Sequence, residues 1–508
     1  MKTFEFPSVR RDGLTLILGL GETGVAAALW CARHGAQLRV LDTRDAPPGL
    51  EALHRQVPGI EYRMGSDALA ADALDGVHTL VLSPGLYPRE EPVAAFLTQA
   101  RESGVEVLGE IELFARALKD MGAQGYTPSV LAITGTNGKT TVTALTRKLV
   151  EAGGRTAQAV GNISPAALTG LSDALTADAL PDVWVLELSS FQLESTSTLA
   201  PDAGVVLNIS QDHLDWHGSM QAYAAAKARL FGMARIAVVN RDDPQVRDMV
   251  PNLRAEAVRS FGMGLPEQVG DLGLEVCNGV SWLAMADLTV EPAPPTRKRR
   301  KSEAPQTSDR ASGRSKALMP VEALHIRGLH NAMNSLAALA LGRCIGLDWA
   351  PMLHALRDYR GEAHRTEFIM RVADVDFIDD SKGTNVGATL AAIQGMGCPL
   401  VLIAGGLGKG QDFSILAPAV REHVRSVLLI GQDAPLIEQA LSATGVPITH
   451  YATLDDAVAD SLTYAQAGDA VILSPACASM DMFRNYVHRS ACFVEAVHAL
   501  AADRGAVA

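Results

Sequence analysis

The run Thr134-Gly135-Thr136-Asn137-Gly138-Lys139-Thr140-Thr141 carries the strongest chemical signal in the chain. Glycines let a loop turn its backbone N–H groups onto phosphate oxygens. A lysine there reaches the β- and γ-phosphates, and the neighbouring threonine hydroxyl can ligate Mg²⁺. Ile133 stands where the common P-loop pattern has its first glycine, yet G-x-x-G-K-T between an apolar strand and a helix predicts ATP binding. Glu187 closes the apolar run VWVLE (Val183–Glu187), where a protein with a P-loop places a Mg²⁺-coordinating carboxylate. His213, in the segment Ser210–Asp215 after VVLNI (Val205–Ile209), can ligate a metal, orient a carbonyl, or be a plain loop histidine. Asn331 and Asn334 share one helix face at i, i+3; they can read an adenine edge or cap the helix. Arg365 can reach a γ-phosphate across a cleft or form an interdomain salt bridge.

A second glycine loop, Gly19-Leu-Gly21-Glu-Thr-Gly24, follows the run LTLIL (Leu14–Leu18) and precedes a helical stretch. Its glycines suit a tight turn, a close backbone approach to phosphate, and close helix–strand packing. Asp42 ends the next strand, where a dinucleotide enzyme keeps its ribose-binding acid. The loop predicts a nucleotide-like anion and does not separate NAD from a uridine diphosphate. In the last third, three runs each follow a predicted strand: Asp380-Ser-Lys382-Gly-Thr384-Asn385, Gly405-Gly-Leu-Gly-Lys409-Gly410 and Ser474-Pro-Ala-Cys477-Ala-Ser479-Met480-Asp481. Small, hydroxylic and cationic residues at three strand ends predict a second pocket for an anionic small molecule. Cys477 has no base beside it in sequence, so a packed thiol is expected rather than a nucleophile.

The elements that must position these groups are short aliphatic and β-branched runs separated by alanine-rich helical stretches. That pattern predicts an α/β fold with parallel sheets covered on both faces, and more than one sheet. A chain of 508 residues is enough for about three domains, with breaks near Gly122–Pro128 and Tyr359–His364. Net charge is −13, which argues against broad nucleic-acid or anionic-membrane binding. No apolar run approaches a membrane span and the start of the chain lacks a signal-peptide core, so a cytosolic protein is expected. The six cysteines show no C-x-x-C spacing, which disfavours a zinc ribbon or a disulfide framework. Glu291–Lys316, rich in proline, serine and basic residues, is expected to be a disordered surface insertion, extending to residue 318.

Taken together, these motifs resemble the Mur ligases, the ATP-dependent amide-forming enzymes of peptidoglycan synthesis. GLGETG, LDTR, SPG (Ser83–Gly85), GEIELF, ITGTNGKTT, GNI, LELSSFQLE, DHLD, HNAMN, AHR, DDSKGTN, GGLGKGQDF and SPACASMDMF fall in the family's order over nearly the whole chain. The N-terminal glycine loop and the SPACASMDMF run point to the D-glutamate-adding branch. The resemblance implies an N-terminal Rossmann-like UDP-substrate domain (1–109) and a central P-loop ATPase domain with a mostly parallel sheet (110–361). A C-terminal Rossmann-like domain for the amino acid (362–508) completes it. It implies UDP contacts at Gly21, Thr23, Asp42, Thr43, Arg44, Ser83 and Gly85, and muramoyl contacts at Asn162, Ser189 and Gln192. ATP would meet Gly135–Thr141, Asn331, Asn334, Arg365 and Asp380. Two Mg²⁺ ions would be served by Thr140, Glu187, His213 and Lys227, the last as a carbamate. D-Glutamate would meet Lys382, Thr384, Lys409, Ser479, Met480 and Tyr486, and Lys139, Glu187, His213, Lys227, Arg365 and Lys382 would carry the catalysis. The implied reaction joins D-glutamate to UDP-N-acetylmuramoyl-L-alanine through an acyl phosphate, in a cytoplasmic monomer. Tyr486, Ser490 and Glu22 depart from the family's usual phenylalanine, glycine and apolar residue. The alternatives are a folylpolyglutamate-type ligase, a nicotinamide-dependent dehydrogenase built on the first glycine loop, and a nucleotide sensor.

Overall fold

The computed structural model describes residues 3–250, 254–288, 310–326 and 328–505. The aliphatic runs form three sheets in chain order, and each is mostly parallel because helices return the chain from one strand end to the next strand start. The first sheet has five parallel strands, in the order Glu61–Met64, Gln37–Asp42, Leu14–Leu18, Val77–Leu82 and Glu106–Leu108. Its order reverses at Leu14–Leu18, so the loop after that strand opens into a crevice shared with the loop after Val77–Leu82.

The second sheet has nine strands. Its parallel part runs Val258–Phe261, Ile236–Asn240, Ala203–Val206, Ser129–Thr134, Val183–Glu187, Ala157–Gly161. Ser129–Thr134 lies at the centre of the functional region, flanked by the strands that end in Glu187 and lead to Asn208. Every residue of Val183–Glu187 is buried, as expected for a strand covered on both faces. Helices Lys139–Ala152 and Leu329–Cys344 cover one face around Leu131, Val185 and Leu336. Helix Glu110–Ala123 covers the other, with Phe114 edge-on to Trp184 at 5.3 Å.

At the far end of this sheet Leu272–Cys277, Val280–Asp287 and Arg314–Pro320 pair antiparallel. Part of the expected insertion is therefore ordered structure. Residues 291–309 lie outside the described residues, but Arg314–Pro320 is a strand whose alternate residues Ala317 and Met319 align with Ala284 and Leu283. The basic and hydroxylic composition masked a short edge strand, which needs apolar side chains on one face only. The run Val205–Ile209 is likewise shorter as a strand, Ala203–Val206. Asn208 turns its side chain onto the glycine loop instead.

The third sheet has six strands, in the order Glu367–Val372, Val375–Asp379, Ala470–Leu473, Leu400–Gly405, Val424–Ile430 and Ile448–His450. The first pair is antiparallel and the rest parallel. Val375–Asp379, Ala470–Leu473 and Leu400–Gly405 are adjacent, so the three polar runs picked out in sequence emerge side by side. Among the described residues no helix is long and apolar enough to cross a membrane.

Candidate active site

The loop Thr134–Gly138 runs from strand Ser129–Thr134 into helix Lys139–Ala152. Two glycines are required by shape. Gly135 has φ 147°, and a Cβ there would lie 2.9 Å from Leu207 Cβ. Gly138, at φ 85°, would drive a Cβ to 2.5 Å from Asn334 Oδ1. The loop is held from the next strand's end: Asn137 N–H donates to Asn208 Oδ1 at 2.8 Å, and Ser210 N–H donates to Thr136 Oγ1 at 3.0 Å. Lys139 Nζ folds back and donates to the carbonyls of Gly135 and Thr136 at 2.8 and 2.7 Å. Burial draws its amine below the ordinary lysine range, opposed by Glu187 and Asp212.

Lys227, on helix Met220–Met233, is 1% exposed. Its amine donates to Gly135 O at 3.0 Å and Thr134 Oγ1 at 3.3 Å, and lies 4.7 Å from the Tyr223 ring centre. Burial, then the charge of Lys139, pushes its amine well below the usual lysine value. Glu187 is 2% exposed; its Oε1 accepts from Asn162 Nδ2 at 2.8 Å. Its Oε2 is buried and has no hydrogen-bond partner among the described residues. His213 is half open, at φ 52°, with Nε2 3.6 Å from Asp212 Oδ2. Burial, followed by the nearby lysine charges, lowers its basicity against the pull of Asp212.

The third sheet's loops close over these groups. A cleft of ≈ 620 Å³ lies between the central and third units, lined by Asn137, Thr141, Asn331, Asn334, Arg365, Asp380 and Lys382 among others. Asn334 Nδ2 donates to Asn331 Oδ1 at 3.1 Å, which fixes the pair on the cleft wall. Arg365 Nη2 donates to Thr140 Oγ1 at 2.7 Å, a contact between units rather than an ion pair. Asp380 accepts from Ser474 Oγ at 2.6 Å and from Thr366 N–H at 3.1 Å. Burial still lifts its carboxyl to about 7. Lys382 Nζ lies 3.7 Å from the Tyr486 ring centre, and burial with the Arg365 charge brings it down to about 8. Ser479 is buried, Thr384 half-buried, and Lys409 and Met480 are exposed on the same side of the sheet. Cys477 is fully buried and its thiol is pushed up to about 12, as a packed thiol should be.

The junction into the third unit is tied through His364. It sits at φ 65°, and Thr366 at φ 46°. His364 N–H donates to Glu367 Oε2 at 2.8 Å, its carbonyl accepts from Lys382 N–H at 3.1 Å, and its Nδ1 is 2.9 Å from Asp379 Oδ2. Ser490 Oγ joins both ring and acid, at 2.7 and 2.6 Å.

In the first unit, Thr23 Oγ1 and Ser83 Oγ face each other at 3.5 Å across the crevice, and Gly85 is open beside them. Asp42 is 1% exposed. Its oxygens accept from Leu20 N–H at 2.7 Å, from Arg44 N–H at 2.9 Å and from the Arg44 guanidinium at 2.8 and 2.7 Å. Burial would raise this carboxyl, but those donors hold it below the usual carboxylate range. The expected direct contact of Asp42 with substrate is thus not what the geometry offers: the acid aims Arg44, which is half exposed beside Thr43. The same occupancy removes the ribose-binding acid that a dehydrogenase would need. Ser189 and Gln192 form a reciprocal capping box on helix Ser190–Glu194, with Ser189 N–H donating to Gln192 Oε1 at 2.9 Å.

Sequence reasoning missed several supports. Asn208 and Tyr223, whose hydroxyl is 3.0 Å from Thr136 Oγ1, carry no motif. Asn385 caps helix Val386–Gly395 and also donates to Asn137 Oδ1 at 3.1 Å. The run Asp380–Asn385 was picked out in sequence; the cap and the reach to Asn137 were not. Arg489, fully buried, binds the carbonyls of Ser381 and Cys477 at 2.8 and 3.1 Å and so joins two of the pocket loops.

Family models match the chain in three consecutive stretches: a Mur ligase MurD-like N-terminal domain at 14–109, a Mur ligase middle domain at 133–286 and a Mur ligase glutamate ligase domain at 364–477. A protein of Bordetella parapertussis named UDP-N-acetylmuramoylalanine–D-glutamate ligase is 60% identical, over 97% of this chain and 98% of its own. A Burkholderia cenocepacia protein of the same name is 55% identical, over 98% and 99%. Among solved structures, MurF of Acinetobacter baumannii aligns with a TM-score of 0.55 at 17% identity, covering 91% of this chain and 92% of its own. The UDP-N-acetylmuramate–alanine ligase MurC of Thermotoga maritima aligns at 0.54 and 18%, covering 96% and 99%; both share the fold. With three domain models in order and full-length relatives at this identity, the chain belongs to the Mur ligase family.

Proposed function

We propose that this chain joins D-glutamate to UDP-N-acetylmuramoyl-L-alanine at the expense of ATP, a step of peptidoglycan precursor synthesis. The observation that carries this is the closeness of a P-loop lysine, a buried strand-end acid and two cations from a third unit: Lys139 feels the charges of Glu187, Arg365 and Lys382, and the last two line the cleft. Full-length identity to relatives named for that reaction supports it. The units take the boundaries 1–109, 110–361 and 362–508, and the enzyme works as a cytoplasmic monomer without nucleic acid.

The backbone of Gly135–Gly138 and Lys139 hold the ATP phosphates, with Thr141, Asn331, Asn334 and Asp380 along the cleft. Lys139 must leave its own loop carbonyls when phosphate arrives, so no large backbone change is needed. Gly21, Thr23, Thr43, Ser83, Gly85 and Arg44, aimed by Asp42, hold the uridine diphosphate, and Asn162, Ser189 and Gln192 the muramoyl part. The alanyl carboxylate oxygen attacks the γ-phosphorus and ADP leaves. The neutral amine of D-glutamate then attacks the acyl carbon; the nitrogen gives up a proton to solvent or to the departing phosphate, which leaves the tetrahedral intermediate as the amide forms. Arg365 and Lys139 offset the charge that gathers on the transferring group. Lys382, Thr384, Lys409 and Ser479 meet the two D-glutamate carboxylates, while Met480 and Tyr486 shape the pocket.

The oxygen donors fit Mg²⁺. Glu187 Oε2 is buried without a partner among the described residues, and Thr140 Oγ1 lies at the loop's end under Arg365. Thr140, Glu187, His213 and Lys227 would hold two ions, and bound Mg²⁺ supplies charge neutralisation on the phosphates. The Lys227 amine itself is no ligand for a hard cation. Burial favours its neutral form, which can add CO₂: the N–C bond forms, a proton leaves, and an anionic carbamate results.

The test is phosphate release measured with each substrate omitted in turn and with a panel of amino acids. Release should require ATP, the UDP-muramoyl-alanine substrate and D-glutamate together. Comparable turnover with L-glutamate, or without the UDP substrate, would reject the proposal.

A further inference from the structure

The N-terminal unit meets the central unit along two helices, Glu22–Arg33 and Ala167–Thr176, which lie side by side in parallel. Their ends are tied. Glu22 Oε1 accepts from Ser164 Oγ at 2.8 Å and from Ala166 N–H at 3.3 Å, at the start of the second helix. Arg33 Nη1 donates to Ser172 O at 3.3 Å and Thr176 Oγ1 at 3.1 Å, at its end. An anion thus sits at the positive end of the Ala167–Thr176 dipole and a cation at its negative end. A second carboxylate, the buried Glu110, accepts from Leu168 N–H at 2.6 Å. A hollow of ≈ 440 Å³ opens beside the second tie, lined by Leu29, Ala32, Arg33, Ser172 and Thr176 among others, while Ala27, Trp30, Leu168 and Leu171 belong to one buried core; the polar ends add directional contacts to that packing.

Glu22 stands between Gly21 and Thr23, inside the loop assigned to the diphosphate. Its partner Ser164 is two residues from Asn162, whose side chain donates to Glu187 at 2.8 Å. A short path of bonds and chain therefore joins the diphosphate loop to the acid at the reaction centre. A substrate anchored at Thr23 and reacting beside Glu187 must span the same gap. We propose that Glu22 and Arg33 are positioning residues that fix this span and so set how well the UDP-linked substrate fits, an inference that rests on the function proposed above.

Steady-state kinetics of the full chain test it, with melting temperature as a control. Glu22→Ala should raise the KM for UDP-N-acetylmuramoyl-L-alanine about three- to tenfold, the range for one exposed charge-assisted hydrogen bond, while the KM values for ATP and D-glutamate stay within about twofold. Glu22→Gln keeps an acceptor and should recover most of the loss. Glu22→Lys, which places a cation at a helix N-terminus, should be worse than alanine. Arg33→Ala should repeat the pattern more weakly. A rise of all three KM values together with a lower melting temperature would reveal general destabilisation and overturn the inference, as would an unchanged KM in Glu22→Ala. A wild-type enzyme that ignores the UDP substrate would overturn the proposed function and this inference with it. A competent wild type with flat Glu22 variants overturns this inference alone.

Discussion

Two glycine loops, each between a parallel strand and a helix, are put to opposite uses. At Gly19–Gly24 the charges are satisfied before any ligand arrives: Asp42 is fully engaged by Arg44 and Leu20 N–H, and Arg44 is the cation offered outward. At Gly135–Thr141 the charges are held in reserve. Lys139 rests on its own loop, Lys227 is buried under it, and Glu187 keeps one oxygen unpaired among the described residues. The first loop is a cradle built to bind an unreacting group. The second keeps a poorly solvated lysine whose energy improves when phosphate charge appears, and an acid with an oxygen left over for a cation, which is how binding becomes catalysis.

If that contrast is right, removing charge from the second loop hurts turnover and removing it from the first hurts affinity. Lys139→Ala should lower kcat by roughly a thousandfold or more while calorimetric binding of the UDP substrate survives; an active variant would erase the contrast. Lys227→Ala should cost about a hundredfold, with partial rescue by short carboxylates standing in for the carbamate. Lack of rescue together with unchanged turnover would remove Lys227 from the reaction. Lys382→Ala should raise the KM for D-glutamate about ten- to a hundredfold and that for ATP little.

The same lysine gives a pH signature. With its amine near 8, Lys382 is charged below that value and neutral above it. The KM for D-glutamate should therefore climb about tenfold per pH unit above pH 8 or so, while kcat does not fall. A flat KM up to pH 9.5 would contradict its role. Arg44→Ala should raise only the KM for the UDP substrate, by about tenfold. The smallest effect is expected from the polar, basic segment between the two halves of the central sequence. Deleting residues 291–309 should leave kcat/KM within about threefold, whereas a deletion continued through Pro320 removes a paired strand and should lower the melting temperature.

Both loops were legible in sequence because each is local: a strand, a turn of small residues and a helix start within about ten residues suffice to place a lysine or an acid. The three polar strand ends of the last unit were legible for the same reason. What sequence could not supply was which oxygens are already taken. Asp42 looks like a ribose acid until Arg44 is seen folded back on it, and the capping box that Ser189 and Gln192 form with each other shows only in the structure. Long-range partners were equally hidden: Ser490 reaches His364 across 126 residues, and no local pattern announces it. The strand Arg314–Pro320 escaped because an edge strand with one wet face reads like a polar loop.

The junction at His364 concentrates backbone strain at the entry to the third unit. A non-glycine residue in the left-handed region costs roughly 1–2 kcal/mol, and both His364 and Thr366 are there. Their conformation is stabilised by Glu367, Lys382, Asp379 and Ser490 acting together. Loss of one of those bonds leaves the remaining ones to offset the same backbone cost. Arg365 lies between His364 and Thr366, so the strained backbone carries the very guanidinium that donates to Thr140 of the phosphate loop.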